Sequence, residues 1–271
     1  MSMSRKTVLI TGATAGLGRC LAEQLADRGA RLMLHGRDEK VLAAQCRDFR
    51  AKGVEAHPLV ADFSALSEVH DLAGRLEAQR PTVDVLINNA GVGPGTEGAG
   101  REISKDGHEL RFAVGYLAPY LLTRLLLPAL RRSPSARVVN VGSAAQAEID
   151  LADLEMATSY QGWIAYGRAK LALASFTVDL AEEVGAEGIA VSCVHPADLM
   201  PTALVRETGL EPASTIEQGA EAVLRLACSP VGETAGGQYF HGLTPAAPHD
   251  DVMDPDKRRR LREATERLLA D

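Results

Sequence analysis

Apolar residues follow two rhythms along this chain. Short runs rich in Val, Ile and Leu recur at 7–11 (TVLIT), 31–36 (RLMLHG), 55–62 (EAHPLVAD), 84–91 (DVLINNAG), 136–143 (ARVVNVGS), 188–196 (GIAVSCVHP) and 236–242 (GGQYFHG). Stretches with apolar positions three and four apart separate them, at 17–28, 38–52, 65–79, 107–132, 164–185 and 217–228. Near-continuous apolar runs mark strands buried on both faces, and the three-four spacing marks helices. The alternation predicts an α/β fold: a doubly wound, mostly parallel, seven-stranded sheet with helices on both faces. No repeat or long linker divides residues 1–271, so one domain is expected. Loops 92–106, 144–162 and 197–216 follow the carboxyl ends of strands, where open α/β sheets bind ligands. Segment 197–216 is the expected substrate loop. Segment 243–271 is a C-terminal extension ending in a charged helix, with KRRR (257–260) on its solvated face.

The segment 107–132 breaks its own pattern. Leu110, Val114, Leu117, Leu121 and Leu125 form a buried stripe, yet Gly115 and Pro119 lie inside it. Mid-helix, Gly costs roughly 1 kcal/mol against Ala and Pro roughly 3. A helical carbonyl at 115 would accept from the N–H of residue 119. Proline has none, so that carbonyl is open to a water.

Charge narrows the partners. A formal net charge of −7 argues against nucleic acid or an anionic membrane. The richest apolar run, 117–127, is interrupted by Arg124 and is shorter than the ~18 residues a span requires. MSMSRK leads straight into a strand, without signal-peptide character, so a cytoplasmic location is expected. Cys20, Cys46, Cys193 and Cys228 are scattered without metal-ligand spacing, and no metal is expected.

Three clusters carry chemistry. TGATAGLG (11–18) sits at the first strand–helix turn. Gly12 permits the turn, Gly16 lets backbone approach a pyrophosphate, and Gly18 allows close helix–strand packing. Thr14, Ala15 and Leu17 complete a loop whose helix N-terminus offers N–H groups to phosphate. Any tight strand–helix turn also favours glycine, and position is what favours a dinucleotide. Next, the second strand ends in HGRD. A carboxylate there would hold a ribose 2′-OH, whereas Arg37 suits a 2′-phosphate and therefore NADP(H). Finally, Tyr166 and Lys170 lie four apart on one helix face, and Ser143 ends the fifth strand. A tyrosine of pKa about 10 becomes a usable acid–base group when a neighbouring ammonium lowers it. Ser143 could hydrogen-bond the same reacting oxygen.

These motifs occur in the order of the short-chain dehydrogenase/reductase family: TGATAGLG, Asp62, NNAG (88–91), VNVGSAA (139–145), YGRAK (166–170) and HP (195–196). The resemblance spans roughly residues 5–245. It implies a Rossmann fold, a nicotinamide cofactor and Tyr166 as general acid/base. Lys170 would bind the nicotinamide ribose, and Ser143 would position the carbonyl. Asp62 and Phe63 would flank adenine, while Asn89, Ala90, Gly91, Pro196 and Leu199 would line the cofactor. The wide spacing between Ser143 and Tyr166 is similar to the retinol-dehydrogenase-like branch, which acts on bulky lipophilic carbonyls. Subunits would pair through 107–132 and 164–185 as a homodimer or homotetramer.

The chain departs from that pattern twice. The family's fourth catalytic residue, an Asn, is Gly115 here, which leaves its backbone carbonyl as the proton-relay position and opens space. Ala197 replaces a glycine, and Thr202 lies one residue beyond the family's threonine, so the Leu199 backbone competes with it for the carboxamide. The expected activity is NADP(H)-dependent reduction of a ketone or aldehyde on a small molecule. Redox-neutral chemistry in the Gly115 space and NADP sensing without catalysis are the alternatives.

Overall fold

A computed structural model describes residues 2–270. The strands are β1 (Thr7–Ile10), β2 (Arg31–Gly36), β3 (Ala56–Val60), β4 (Val85–Asn88), β5 (Ala136–Val141), β6 (Ile189–His195), β7 (Tyr239–His241) and β8 (Thr244–Ala246). They form one sheet in the order β3-β2-β1-β4-β5-β6-β7-β8. The first seven run parallel, and β8 pairs antiparallel with β7. The sheet therefore has eight strands rather than seven. The added strand is a three-residue edge of Thr, Pro and Ala, too short and polar for an apolar run to reveal.

Helices α1 (Gly16–Asp27), α2 (Glu39–Ala51) and α3 (Leu66–Gln79) follow the first three strands. One apolar layer joins α1 and α2 to one sheet face through Leu21, Leu25, Leu42 and Phe49. The other layer carries α3, with Leu72 and Leu76, and the long helices further along.

Segment 107–132 is not one helix. A short α4 (Leu110–Phe112) leads into a π-turn (Ala113–Leu117), and α5 (Ala118–Arg131) begins there. The Ala118 N–H reaches back to the Ala113 carbonyl, a five-residue step. Pro119 thus falls in the first turn of α5, where a missing N–H costs little. Together these pieces are long and apolar enough to cross a membrane, but 78% of that window is buried inside the fold. Gly115 lies against α6 (Gly162–Val184), and a Cβ there would approach the Ala169 methyl at 3.3 Å. The missing side chain lets two helices approach and opens no room in the ligand cleft.

The remaining helices are α7 (Ala203–Glu207), α8 (Ile216–Cys228), α9 (Val231–Thr234), α10 (Asp250–Met253) and α11 (Pro255–Ala270). The KRRR segment is not wholly solvated. Arg258 is buried, pairing with Asp179 at 2.6 Å and Glu182 at 2.9 Å on α6. Tyr116 Oη meets Thr265 Oγ1 at 2.8 Å, so α11 lies across the helices expected to pair subunits.

Candidate active site

Strand order reverses between β1 and β4, and a cleft of about 360 Å³ opens there at the strand carboxyl ends. Its floor is the glycine loop. Gly12 and Gly16 have φ of 64° and 51°, the region glycine enters without steric cost. A Cβ at Gly18 would stand 2.1 Å from the Gly12 carbonyl oxygen, so only glycine fits. Ala15 caps α1 without a side-chain hydrogen bond, leaving first-turn N–H groups to a ligand. The glycine cradle and uncapped helix start fit a dinucleotide pyrophosphate.

The loop is pinned from two sides. Thr11 Oγ1 accepts from the N–H groups of Asn89 and Ala90, both at 2.9 Å. Asn89 Nδ2 donates to the carbonyls of Thr11 and Gly12. His35, at the end of β2, completes the frame. Its Nδ1 accepts from the Gly12 N–H at 3.2 Å, and Nε2 lies 3.0 Å from the Ala61 carbonyl. That pairing assigns the proton to Nε2. Burial holds the ring neutral with a pKa of about 4. The sequence offered no signal for this role, because a histidine inside an apolar run is indistinguishable from core.

Of the expected cofactor residues, Gly12, Ala15, Gly16, Leu17 and Gly18 line the cleft from the first turn. Asn89, Ala90, Gly91, Pro196 and Leu199 line it from the later strands. Thr14 packs against Gly36 instead. Arg37 is exposed at the carboxyl end of β2. Asp38 caps α2, accepting from the N–H groups of Lys40 and Val41, so its carboxylate is engaged away from any ribose. Asp62 pairs with Lys105 at 3.1 Å. The Phe63 ring is buried and stacked on His35 at 4.0 Å.

Ser143, Tyr166 and Lys170 meet on one wall of the same cleft. All three are nearly buried, at 7, 8 and 6% exposure, so charge on them acts with little screening. Ser143 is held at the end of β5 by Tyr239 Oη and Gln146 Nε2, which donate to its carbonyl. Lys170 Nζ donates to the Val141 carbonyl at 2.8 Å, and burial brings its pKa down to about 8. Burial raises the Tyr166 pKa, and hydrogen bonding with Ser143 opposes the rise. Lys170 lies on the same helix face, four residues beyond Tyr166. The lysine donates to Val141, and its Nζ stands 5.6 Å from the ring centre.

The far wall is apolar and less tightly held. Leu199 has φ of 40°, uncommon for a side chain without polar compensation. Thr202 packs over Gly16, where a Cβ would approach its methyl at 3.2 Å. On the catalytic side, Trp163, 46% exposed at the start of α6, stands edge-on to Tyr166 at 6.2 Å between ring centres. Gly115 does not line the cleft.

A family model described as short chain dehydrogenase matches residues 6–212. Human retinol dehydrogenase 13 is 32% identical over 97% of this chain and 84% of its own length. Mouse polyprenol dehydrogenase is 34% identical over 94% of this chain and 81% of its own. Among solved structures, a putative uncharacterized protein from Mycobacterium paratuberculosis superposes with a TM-score of 0.82. It is 29% identical, covering 98% of this chain and 94% of that one. The NADP active-site complex of Pseudomonas aeruginosa RhlG superposes with a TM-score of 0.72. It is 28% identical, covering 89% and 95%.

Proposed function

The chain belongs to the short-chain dehydrogenase/reductase family, in its retinol-dehydrogenase-like branch, and on that premise we propose that it is an NADP(H)-dependent reductase of lipophilic ketones or aldehydes. The observation that carries the proposal is the meeting of Ser143, Tyr166 and Lys170 on one wall of a cleft floored by the glycine loop. A bound nicotinamide would supply the hydride. Tyr166 gives its phenolic proton to the carbonyl oxygen, and in the reverse direction takes it back. Ser143 Oγ donates to the same oxygen and holds it near the phenol. Lys170 binds the ribose hydroxyls, and its charge favours phenolate as the proton leaves.

Arg37 supports NADP(H), since Asp38 is occupied as a helix cap while the guanidinium is free to meet a 2′-phosphate. Asp62 and Phe63 stand at the adenine end, through carboxylate and backbone. The Gly115 carbonyl is the proposed relay position, inside the π-turn where the regular helical ladder is interrupted next to Pro119. The apolar wall of Leu199, Met200, Leu204 and Trp163 suits a lipophilic substrate, as do the retinol and polyprenol named for the relatives. The redox-neutral alternative would need the space beside Gly115, where a Cβ would meet the Ala169 methyl at 3.3 Å. We place the protein in the cytoplasm as one catalytic domain. Any dimer or tetramer through α5 and α6 forms on the surface that α11 leaves uncovered.

The test is turnover of aliphatic and isoprenoid aldehydes with NADPH, followed by absorbance. One NADPH consumed per alcohol formed supports the proposal. Tight NADP binding without turnover of any carbonyl would favour the sensing alternative.

A further inference from the structure

One group of metal-ligating side chains has no part in the chemistry above. His195 ends β6 and His241 ends β7, and the two are directly paired in the parallel register. Paired residues of parallel strands project to the same face. Their rings accordingly lie 4.6 Å apart, edge to face. Asp198, in the loop after β6, turns back onto both. One carboxylate oxygen is 2.9 Å from His195 Nε2, and the other is 3.8 Å from His241 Nε2. One donor atom from each residue lies within 4.8 Å of the others.

We propose that His195, Asp198 and His241 bind a divalent transition-metal ion of the zinc class, which clamps the cofactor-side loop to the sheet edge. Two imidazoles and one carboxylate are a zinc donor set, and a fourth position stays open to water. Donors about 2.0–2.2 Å from such an ion stand roughly 3.3 Å from one another, inside the spread found here. Small side-chain rotations would close it. His195 is buried at the end of β6, so its ring is held in place. Asp198 and His241 are half exposed or more, which gives an ion a path in.

The backbone holds the donors in place beforehand. The Gly242 N–H donates to the His195 carbonyl at 2.8 Å, tying the two strand ends together. Ser214 Oγ donates to the Asp198 carbonyl, and the Ala213 N–H donates to the Leu199 carbonyl at 3.1 Å. The clamped loop carries Leu199, Met200 and Thr202 into the cleft, where His195 and Asp198 also reach its lining, so the ion would stiffen that wall.

The test titrates the chelator-stripped full chain with Co²⁺ alone and with Zn²⁺ alone, by calorimetry and visible absorption. One equivalent per chain, a Co²⁺ d–d band and a raised Tm are expected. His241→Ala and Asp198→Asn should weaken binding by about 100-fold, at the upper end of losses seen when even an outer-shell partner is removed. His241 does not line the cleft, so His241→Ala should keep its circular dichroism spectrum and its activity in chelator. Should Asp198→Asn misfold, His241→Ala alone decides. Absence of stoichiometric uptake by the wild type, or equal uptake by His241→Ala, overturns the proposal.

Discussion

The two walls of the cleft are built differently. The glycine-loop side is held by partly buried side-chain-to-backbone hydrogen bonds, with Thr11, His35 and Asn89 each satisfying backbone groups. The β6–β7 side hangs on a strained Leu199 and the ties of Asp198. Phosphate recognition needs fixed N–H directions, which backbone supplies. Substrate recognition needs a shape that can change, which side chains on loops supply.

Four substitutions or conditions probe that contrast. Tyr166→Phe removes the proton donor and should lower kcat by 10²- to 10⁴-fold, roughly the worth of general acid catalysis, while calorimetric NADP binding stays intact. Retained activity would place the acid elsewhere. Gly18→Ala should be the most damaging change on the rigid side. Its Cβ meets backbone at 2.1 Å, and the strain should cost about 3 kcal/mol or more in denaturant melts and abolish NADP binding.

His35 gives the rigid wall a pH dependence. Its folded pKa of about 4 lies below the unfolded 6.5, so between those values the unfolded chain binds the extra proton. Stability from this group is full above pH 6.5 and falls as pH drops toward 4, by on the order of 3 kcal/mol in all. Urea melts across that range should show the loss, and His35→Gln should flatten it. The smallest effect concerns the exposed end of the cofactor. Arg37→Ser should weaken NADP binding by roughly 10-fold, the worth of one charge-assisted contact, and leave NAD unchanged. Equal losses for both would remove Arg37 from phosphate recognition.

The same contrast decides what was legible in the sequence. The strand–helix alternation, the glycine loop and the Ser143, Tyr166 and Lys170 set were visible because each is fixed by local spacing or by position in the alternation. Features assembled across strands were not. His35 acquires its role only when β2 lies beside β1, and His241 meets His195 only when β7 joins β6. The Gly115 puzzle was legible, but its answer was not: a π-turn shifts the hydrogen-bond register by one residue and moves Pro119 to a helix start. Spacing placed Lys170 beside Tyr166, yet spacing does not report the burial that raises the phenol's pKa. Arg258 belongs to the same class, since its partners Asp179 and Glu182 sit on a helix far back in the chain.

Hydride delivery to a carbonyl carbon, with Tyr166 supplying the proton, is the central claim. NADPH deuterated at both C4 positions, incubated with the chain and an isoprenoid aldehyde, tests it through the mass of the alcohol formed. One deuterium on the former carbonyl carbon, per NADPH oxidised, is the predicted result. Product that carries no deuterium, or forms while NADPH persists, would contradict it.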